Sequence, residues 1–269
     1  MPEKRPIITL LTDFGTQDYF VSSVKGVILS INPNAELVDI THEIPPQDIF
    51  TAALTLLNAC SVFPRFTTHL AVVDPGVGSS RRPILVMTDN YNFIGPDNGI
   101  FSYIYQYEEV NKVIHIKAEH YYRTPVSSTF HARDIFAPIA GWLSKGIESS
   151  NMGDEIEDYM RFTPPLPREF SPSAIRGHII HVDRFGNCIT NITPKELTEE
   201  RMSLNKILVV NEYQITRFCT HYAECPEGEV CALFGSAGFL ELSTPKGSAA
   251  HVLGANRGTE VTLHFAAQQ

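Results

Sequence analysis

Short apolar runs alternate with segments of helical periodicity through residues 7–143, and this alternation constrains the fold more than any other feature of the chain. The apolar runs predict strands at 7–12, 37–40, 69–73, 84–88 and 113–116. The periodic segments predict helices between Asp18 and Asn32, at 48–60 and at 133–143. Strands that alternate with helices predict an α/β domain with a mostly parallel sheet.

Polar residues directly follow three of the predicted strands. Asp13, His42 and Asp74 each stand where an apolar run ends. Ligands of open α/β sheets bind beyond the carboxyl ends of the strands. We therefore expect these three side chains to converge in one cleft.

The composition changes at a proline-rich stretch, residues 162–173, which predicts an extended linker. Beyond it, turn residues separate β-prone runs at 177–182, 207–210, 229–234 and 260–265. The predicted organisation is an α/β N-terminal domain of residues 1–163, a linker of residues 164–174, and a smaller, mainly β C-terminal domain of residues 175–269, a barrel or a sandwich.

The charge balance and the cysteines limit the function classes. A net charge of −9 lacks the basic footprint of a nucleic-acid-binding protein. No apolar stretch reaches the length of about 18 residues that a membrane span needs, and the N-terminal residues show no signal-peptide pattern. The five cysteines include no C-x-x-C pair, which predicts free thiols in a reducing compartment. We expect a cytoplasmic protein without nucleic-acid or membrane partners.

Three loops of the N-terminal region hold candidate functional residues, and each has a structural alternative. Asp13 can accept the hydroxyl groups of a ribose, or can cap a helix. Asp74 begins a glycine-rich loop and can pair with Arg81 in a site, or only as a surface salt bridge. His131 precedes a helix N-terminus, which favours electron-rich groups, but it can equally be structural.

Two loops of the C-terminal region have the same ambiguity. Asn187 offers the donor and acceptor that an adenine edge needs, but Gly186 and Asn187 also suit a β-turn. The small residues at 235–238 and 246–250 permit close approach to a ligand, or form hairpin connections.

Together these segments resemble one family, the S-adenosylmethionine hydroxide adenosyltransferases, which are relatives of the bacterial fluorinase and chlorinase. The matching segments are LLTDFG at 10–15, VDPGVG at 73–78, TFHARD at 129–134, DRFGN at 183–187 and GSAG at 235–238. They appear in the expected order and span nearly the whole chain.

The resemblance implies a function and a set of site residues. It implies hydrolysis of S-adenosyl-L-methionine to adenosine and L-methionine without a cofactor or metal, in a homotrimer whose sites lie between subunits. Asp74, Arg81 and His131 match the water-activating set. The substrate-binding positions are matched by Asp13 for the ribose, Asp18, Asp183 and Ser236 for the methionine part, and Phe185, Asn187, Tyr222 and Ala249 for adenine.

This chemistry suits the residue types. Methionine leaves the sulfonium as a neutral thioether, so the leaving group needs no general acid. Asp74 can orient water or accept its proton, and Arg81 can stabilise developing hydroxide character. His131 can complete the hydrogen-bond network.

The resemblance also separates water from halide as the nucleophile. In the halogenating relatives, tyrosines stand at the positions of Asp74 and His131, and the halide-site serine corresponds to Ala132. The position of Ala132 is usually glycine in the hydrolases. A carboxylate that faces the nucleophile repels a halide ion, so Asp74 favours water.

Two further classes of function remain open at this point. Asp13, Asp18, His42, Asp74 and His131 have the ligand types of a metal-dependent hydrolase, although no compact metal motif occurs. A non-catalytic sensor of S-adenosylmethionine or adenosine would use the same pocket.

Overall fold

The computed structural model describes residues 5–266, except for the side chains of Glu199 and Met202. The chain divides into two compact units, Met1–Thr163 and Pro164–Gln269. Residues 1–4, part of the N-terminus from which we expect no signal peptide, lie outside the described residues. In the described part, no helix is both long enough and apolar enough to cross a membrane.

The first unit is an α/β structure. Its elements in chain order are β1 (Ile7–Thr12), α1 (Phe20–Ile31), β2 (Glu36–Thr41), α2 (Ile49–Cys60), β3 (Thr68–Val72), β4 (Pro83–Thr88), β5 (Asn92–Pro96), α3 (Ser102–Tyr107), β6 (Val110–Ile116), a π-helical segment (Ala132–Phe136), α4 (Ala137–Ser144) and β7 (Gly153–Glu155). The predicted helix at 133–143 is thus a π-helical segment that runs directly into α4.

The first unit has one seven-stranded sheet in the order β2-β1-β3-β5-β4-β6-β7. The strands β2, β1, β3 and β5 are parallel neighbours, whereas β4 and β7 are antiparallel to theirs. Five of the seven strands therefore run in one direction, which confirms the prediction of a mostly parallel sheet. The strand β1 is buried along nearly its whole length, as its unbroken apolar sequence predicts.

Two apolar cores cover the two faces of this sheet. One core holds Val24 and Ile28 of α1 together with residues of α4, and the other holds Leu56 of α2 and Ile104 of α3. This layering places helices on both faces, and leaves the carboxyl ends of β1 and β3 for the loops that carry Asp13 and Asp74.

The second unit is mainly β, as predicted. Its elements are β8 (Arg168–Ser171), β9 (Ala174–Val182), β10 (Cys188–Thr190), α5 (Glu199–Met202), β11 (Asn205–Val210), β12 (Tyr213–Ile215), β13 (Cys231–Phe234), β14 (Leu240–Ser243), α6 (Ala249–Leu253) and β15 (Glu260–Ala266). The strand order is β12-β11-β15-β9-β10-β14-β13, with antiparallel pairs throughout. The first half of β9 pairs with β15 and the second half with β10, so both halves of the sheet pack on one apolar core.

The stretch 164–174 is not a free linker in the structure. The strand β8 lies within it and pairs with β9, and Asn191 Nδ2 donates a hydrogen bond to the Pro165 carbonyl at 2.8 Å. Strand pairing is possible because residues 168–171, between Pro167 and Pro172, all keep their backbone N–H groups.

The expectation of free cysteines is wrong for one pair. Cys225 and Cys231 form a disulfide, with their Cα atoms 5.9 Å apart. Chain reversal between the two residues brings them together at a spacing that matches no C-x-x-C motif. Cys60, Cys188 and Cys219 are free thiols, and the first two are buried.

Candidate active site

The parallel pairing of β1 with β3 brings the two loop carboxylates to the same edge of the sheet. Thr12 is paired with Val72, so Asp13 and Asp74 follow neighbouring strand ends. A cavity of about 360 Å³ opens there. Its lining residues are Asp13, Phe14, Phe20, Gln47, Val72, Asp74, Pro75, Val77, Thr129, Phe130, His131 and Ala132.

Asp74 and Arg81 form a buried ion pair beside this cavity. Arg81 Nε lies 3.0 Å from Asp74 Oδ1 and 2.9 Å from Oδ2, and Arg81 Nη2 lies 2.5 Å from Oδ2. The two side chains are only 6% and 8% exposed. Charge-assisted hydrogen bonds of this kind hold the carboxylate in one orientation.

The glycine-rich loop between the two partners folds back on itself and packs against a second loop. The Val77 N–H donates to the Asp74 carbonyl, and the Ser79 N–H donates to the Gly76 carbonyl. Gly78 has a φ of 78°, and a Cβ there would overlap with the Ser128 carbonyl oxygen. Glycine at this position therefore allows the loop of Asp74 to approach the loop of His131.

His131 joins the ion pair through its Nδ1 atom. Arg81 Nη2 lies 2.7 Å from His131 Nδ1. Because a guanidinium only donates, Nδ1 is the acceptor, and the neutral ring carries its proton on Nε2. Burial, followed by the charge of Arg81, lowers the pKa of His131. The imidazole is therefore neutral near pH 7 and offers an Nε2–H donor.

Asp134 is a buried neighbour of His131 to which sequence reasoning assigned no role. Its fully buried carboxylate accepts hydrogen bonds from the Ser127 N–H at 2.9 Å and from Arg133 Nε at 2.7 Å. Burial acts to raise the pKa of Asp134, but the bonds from Arg133 and Ser127 lower it overall. Asp134 thereby ties the start of the loop that carries His131 to the π-helical segment after it.

The other candidates of the first unit divide into two groups. Asp13 lines the cavity, and its Oδ2 accepts the Gln47 N–H at 2.8 Å. Within residues 5–266, Asp13 Oδ1 has no hydrogen-bond partner, so it is available to a ligand. Asp18 is exposed and does not line the cavity.

His42 has a structural environment. It is 4% exposed, with Nδ1 2.8 Å from Thr12 Oγ1 and Nε2 3.0 Å from Asp39 Oδ1. In the described part of the chain, no group of three or more His, Cys, Asp and Glu side chains is arranged to hold a metal ion.

The second unit has a separate cavity of about 470 Å³. Its lining residues are Asp183, Phe185, Asn187, Tyr222, Ser243, Thr244, Pro245, Lys246 and Gly247. The structure thus brings together four of the predicted substrate-binding residues of the C-terminal region.

Asp183 organises the turn on which two of these residues lie. Its Oδ1 accepts the N–H groups of Phe185 at 2.9 Å and Asn187 at 2.8 Å, and its Oδ2 accepts Asn187 Nδ2 at 2.9 Å. The Phe185 ring is 76% exposed at the cavity, so it is free to stack on a planar ligand.

Ser236 and Ala249 lie outside the lining of this cavity. Ser236 is exposed in the turn of residues 235–238. Ala249 is buried at the start of α6, where the Ala250 N–H donates to the Gly186 carbonyl at 2.9 Å.

Glu241 is a second residue that sequence reasoning missed. It is 7% exposed, and its Oε2 accepts the Tyr222 hydroxyl at 2.7 Å. The available indication was an acidic residue between Leu240 and Leu242 in an apolar run, but no strand was predicted there.

Comparison with known proteins assigns both units to one family. Residues 8–153 match the model of the SAM hydroxide adenosyltransferase N-terminal domain, and residues 177–262 match that of the C-terminal domain. The chain is 35% identical to a protein named (R)-S-adenosyl-L-methionine hydrolase from Methanocaldococcus jannaschii, with 96% of each chain covered. It is 34% identical to a protein of the same name from Thermus thermophilus, with 96% of this chain and 99% of the relative covered.

A solved structure shows the same likeness. The crystal structure of an uncharacterized conserved protein from Thermotoga maritima superposes with a TM-score of 0.89 at 32% identity. The match covers 96% of this chain and 99% of that chain. The chain belongs to the S-adenosylmethionine hydroxide adenosyltransferase family.

Proposed function

We propose that the protein hydrolyses S-adenosyl-L-methionine to adenosine and L-methionine. The observation that carries the proposal is the buried Asp74–Arg81–His131 arrangement beside the cavity of the first unit, at the carboxyl ends of β1 and β3. The names of the relatives from M. jannaschii and T. thermophilus support the same activity.

In this proposal, water attacks the ribose C5′ carbon in line with the bond to sulfur. An O–C5′ bond forms while the C5′–S bond breaks, and its electron pair stays on sulfur as methionine leaves. The water gives up one proton, which Asp74 receives and passes to solvent. Asp74 Oδ1 is the better acceptor, because it takes one hydrogen bond from Arg81 whereas Oδ2 takes two.

Arg81 and His131 have supporting roles that follow from their geometry. Arg81 fixes the orientation of Asp74, and its fixed charge stabilises hydroxide character as the water loses its proton. His131 accepts from Arg81 through Nδ1, so it acts as an Nε2–H donor toward the cavity and does not act as the base.

Substrate binding divides between the two cavities in this proposal. Asp13 Oδ1 accepts a ribose hydroxyl, and Phe185, Asn187 and Tyr222 contact the adenine. The resemblance also assigns Asp18, Asp183 and Ser236 to the methionine part and Ala249 to adenine, and we retain these assignments as proposals. We further propose a homotrimer that acts in the cytoplasm, in which a neighbouring subunit supplies the C-terminal contacts.

The test is product analysis with S-adenosylmethionine in ¹⁸O-labelled water. We expect adenosine with one ¹⁸O atom at the 5′-hydroxyl, together with unlabelled methionine. Tight binding without adenosine formation would instead support a sensor. Formation of 5′-halo-5′-deoxyadenosine in the presence of chloride or fluoride would contradict water as the nucleophile, since the Asp74 charge should exclude halide.

A further inference from the structure

Glu241 occupies an unusual position for a charged residue. It lies in β14, a central strand that pairs with both β10 and β13. Its neighbours Leu240 and Leu242 belong to the apolar core. Since successive side chains alternate between the faces of a strand, Glu241 lies on the opposite face, which it shares with the cavity-lining residue Ser243.

The buried carboxylate contacts two elements that the proposed function assigns to substrate. Tyr222, which lines the cavity of the second unit, donates its hydroxyl to Glu241 Oε2 at 2.7 Å. Gly235 begins the turn that carries Ser236, and a Cβ on Gly235 would overlap with Glu241 Oε1. One carboxylate thus supports both the tyrosine ring and the glycine turn.

The pKa values of Glu241 and Tyr222 depend on each other and on burial. Burial, and then the nearby charge of Asp183, raise the pKa of Glu241 against the lowering effect of the Tyr222 bond. Burial and the bond to Glu241 raise the pKa of Tyr222 to about 12. The tyrosine therefore stays protonated at neutral pH and remains a donor to the carboxylate.

The bond to Glu241 anchors an aromatic ring that is about half exposed. Tyr222 is 49% exposed and lies in a short 3₁₀ turn, Tyr222–Glu224, within the long connection between β12 and β13. An exposed aromatic side chain that is free to rotate loses conformational entropy when it stacks on a ligand. A fixed hydroxyl removes much of that cost before the ligand arrives.

We propose that Glu241 is a positioning residue of the substrate site, which fixes the Tyr222 ring through its hydrogen bond and so determines the affinity for the adenosine part of the substrate, while its other oxygen packs against Gly235. This inference rests on the proposed function for the identity of the ligand. Glu241 acts through Tyr222, so its loss weakens binding and leaves the bond-breaking step, which belongs to Asp74, nearly unchanged.

The first test compares Glu241→Ala, Glu241→Gln and Tyr222→Phe by calorimetric titration with adenosine and by KM and kcat for S-adenosylmethionine. We expect Glu241→Ala and Tyr222→Phe each to weaken adenosine binding and raise KM by about tenfold, with kcat within about twofold of wild type. Glu241→Gln keeps an oxygen acceptor for the tyrosine and should restore most of the affinity. Glu260→Ala, which removes an exposed ion pair with Arg176, is the matched control.

The double variant Glu241→Ala/Tyr222→Phe separates positioning from a general structural role. If Glu241 acts through the tyrosine, the two losses are not additive, and the double variant binds adenosine about as weakly as either single variant. A hundredfold loss in the double variant, or a lower melting temperature with unchanged adenosine affinity, would overturn the proposal.

Gly235 provides an independent test by sterics. Its φ is not in the left-handed region, and the three atoms nearest to a Cβ added at Gly235 all belong to the Glu241 carboxylate. We expect Gly235→Ala to weaken adenosine binding in the wild-type background but not in the Glu241→Ala background, where the space is empty. Equal losses in both backgrounds would contradict the contact on which the proposal depends.

Direct titration with adenosine keeps this test separate from that of the proposed function. Adenosine binding with the expected coupling but without hydrolysis of S-adenosylmethionine would refute only the hydrolase assignment. Formation of labelled adenosine without any dependence of affinity on Glu241 would refute only the positioning role. Failure of the wild-type protein to bind adenosine at all would also overturn the positioning role.

Discussion

The substitution Asp74→Asn tests the proposed chemistry most directly, because it keeps the shape of the side chain but removes its charge. Arg81 makes two hydrogen bonds through Nε and one through Nη2 to the Asp74 carboxylate. Asparagine offers one acceptor oxygen and places an amide NH₂ group where the second oxygen was. Within residues 5–266, Arg81 Nη1 already lacks a hydrogen-bond partner, so the variant leaves a buried cation still less satisfied.

Two magnitudes follow from this geometry. Loss of a positioned proton acceptor should lower kcat by about 10²–10⁴-fold. Breaking a buried ion pair from one side should cost about 3 kcal/mol of unfolding free energy. For a unit of this size, that cost corresponds to a decrease in melting temperature of about 6–12 °C.

Asp97→Asn is the matched control for the stability loss. Asp97 is also a buried carboxylate of the first unit, 2.7 Å from Arg82 Nη2, and it accepts the Met160 N–H at 2.7 Å. It does not line the cavity that contains Asp74. Its substitution should lower the melting temperature by a similar amount while kcat at 25 °C stays close to that of wild type.

The assay is adenosine release measured by liquid chromatography at 25 °C, with KM and the dissociation constant for S-adenosylmethionine determined for each variant. We expect Asp74→Asn to lose kcat with little change in substrate affinity. If Asp74→Asn lowers affinity as much as kcat, the residue only builds the pocket. If Asp97→Asn loses kcat equally, the loss in both variants is a consequence of destabilisation, and the reasoning fails.

Three further predictions concern pH, a loop glycine and the disulfide. Burial and the charge of Arg81 hold the pKa of His131 below the ordinary 6.5, so the ring should be neutral above pH 6.5. We expect kcat to be constant above pH 6.5 and to decline only on acidification, and the stability that depends on the neutral ring should decline in the same direction. A decline of kcat that begins above pH 7 would contradict this. Gly78→Ala should cost about 1–3 kcal/mol or more in thermal unfolding, and should also lower kcat. Gly146 also has a positive φ but has open space around it, so Gly146→Ala should lower stability and leave kcat unchanged. Equal losses of kcat in Gly78→Ala and Gly146→Ala would argue against a functional role of the close contact between Gly78 and Ser128. Cys225 and Cys231 are six residues apart, and reduction of their disulfide should lower the unfolding free energy of the second unit by about 2 kcal/mol. The measurement is unfolding with and without dithiothreitol, and a Cys225→Ser/Cys231→Ser variant should show no effect of the reductant.

The elements of the first unit were the most predictable from the sequence. The strand β1 is found at Ile7–Thr12, and α2 at Ile49–Cys60 begins one residue after the predicted start. Both are predictable because a strand buried on two faces is an unbroken apolar run, and because Asp48 caps its helix by accepting the Thr51 N–H at 3.0 Å.

The short strands of the second unit were harder to predict. The strands β10 and β12 have three residues each, which is too short for a period of two to stand out. The strand β14 contains Glu241, whose charge interrupts the apolar pattern. The disulfide was missed because its spacing depends on the turn between its cysteines, and no local motif encodes that turn.

The sequence by itself determined the family, the alternation of strands and helices in the first unit, and the position of Asp13 and Asp74 at strand ends. These features depend on residues close together in the chain, whose periodicity and order are visible in one dimension. Only the tertiary structure decided that Arg81 pairs with His131, 50 residues away, and that this contact assigns the ring proton to Nε2. It also decided that Asp18 does not line the cavity of the first unit, that Ser236 does not line the cavity of the second unit, and that Asp134 and Glu241 are buried. The physical reason is that a hydrogen bond depends on the distance and angle between two groups, and those are set by how remote segments pack.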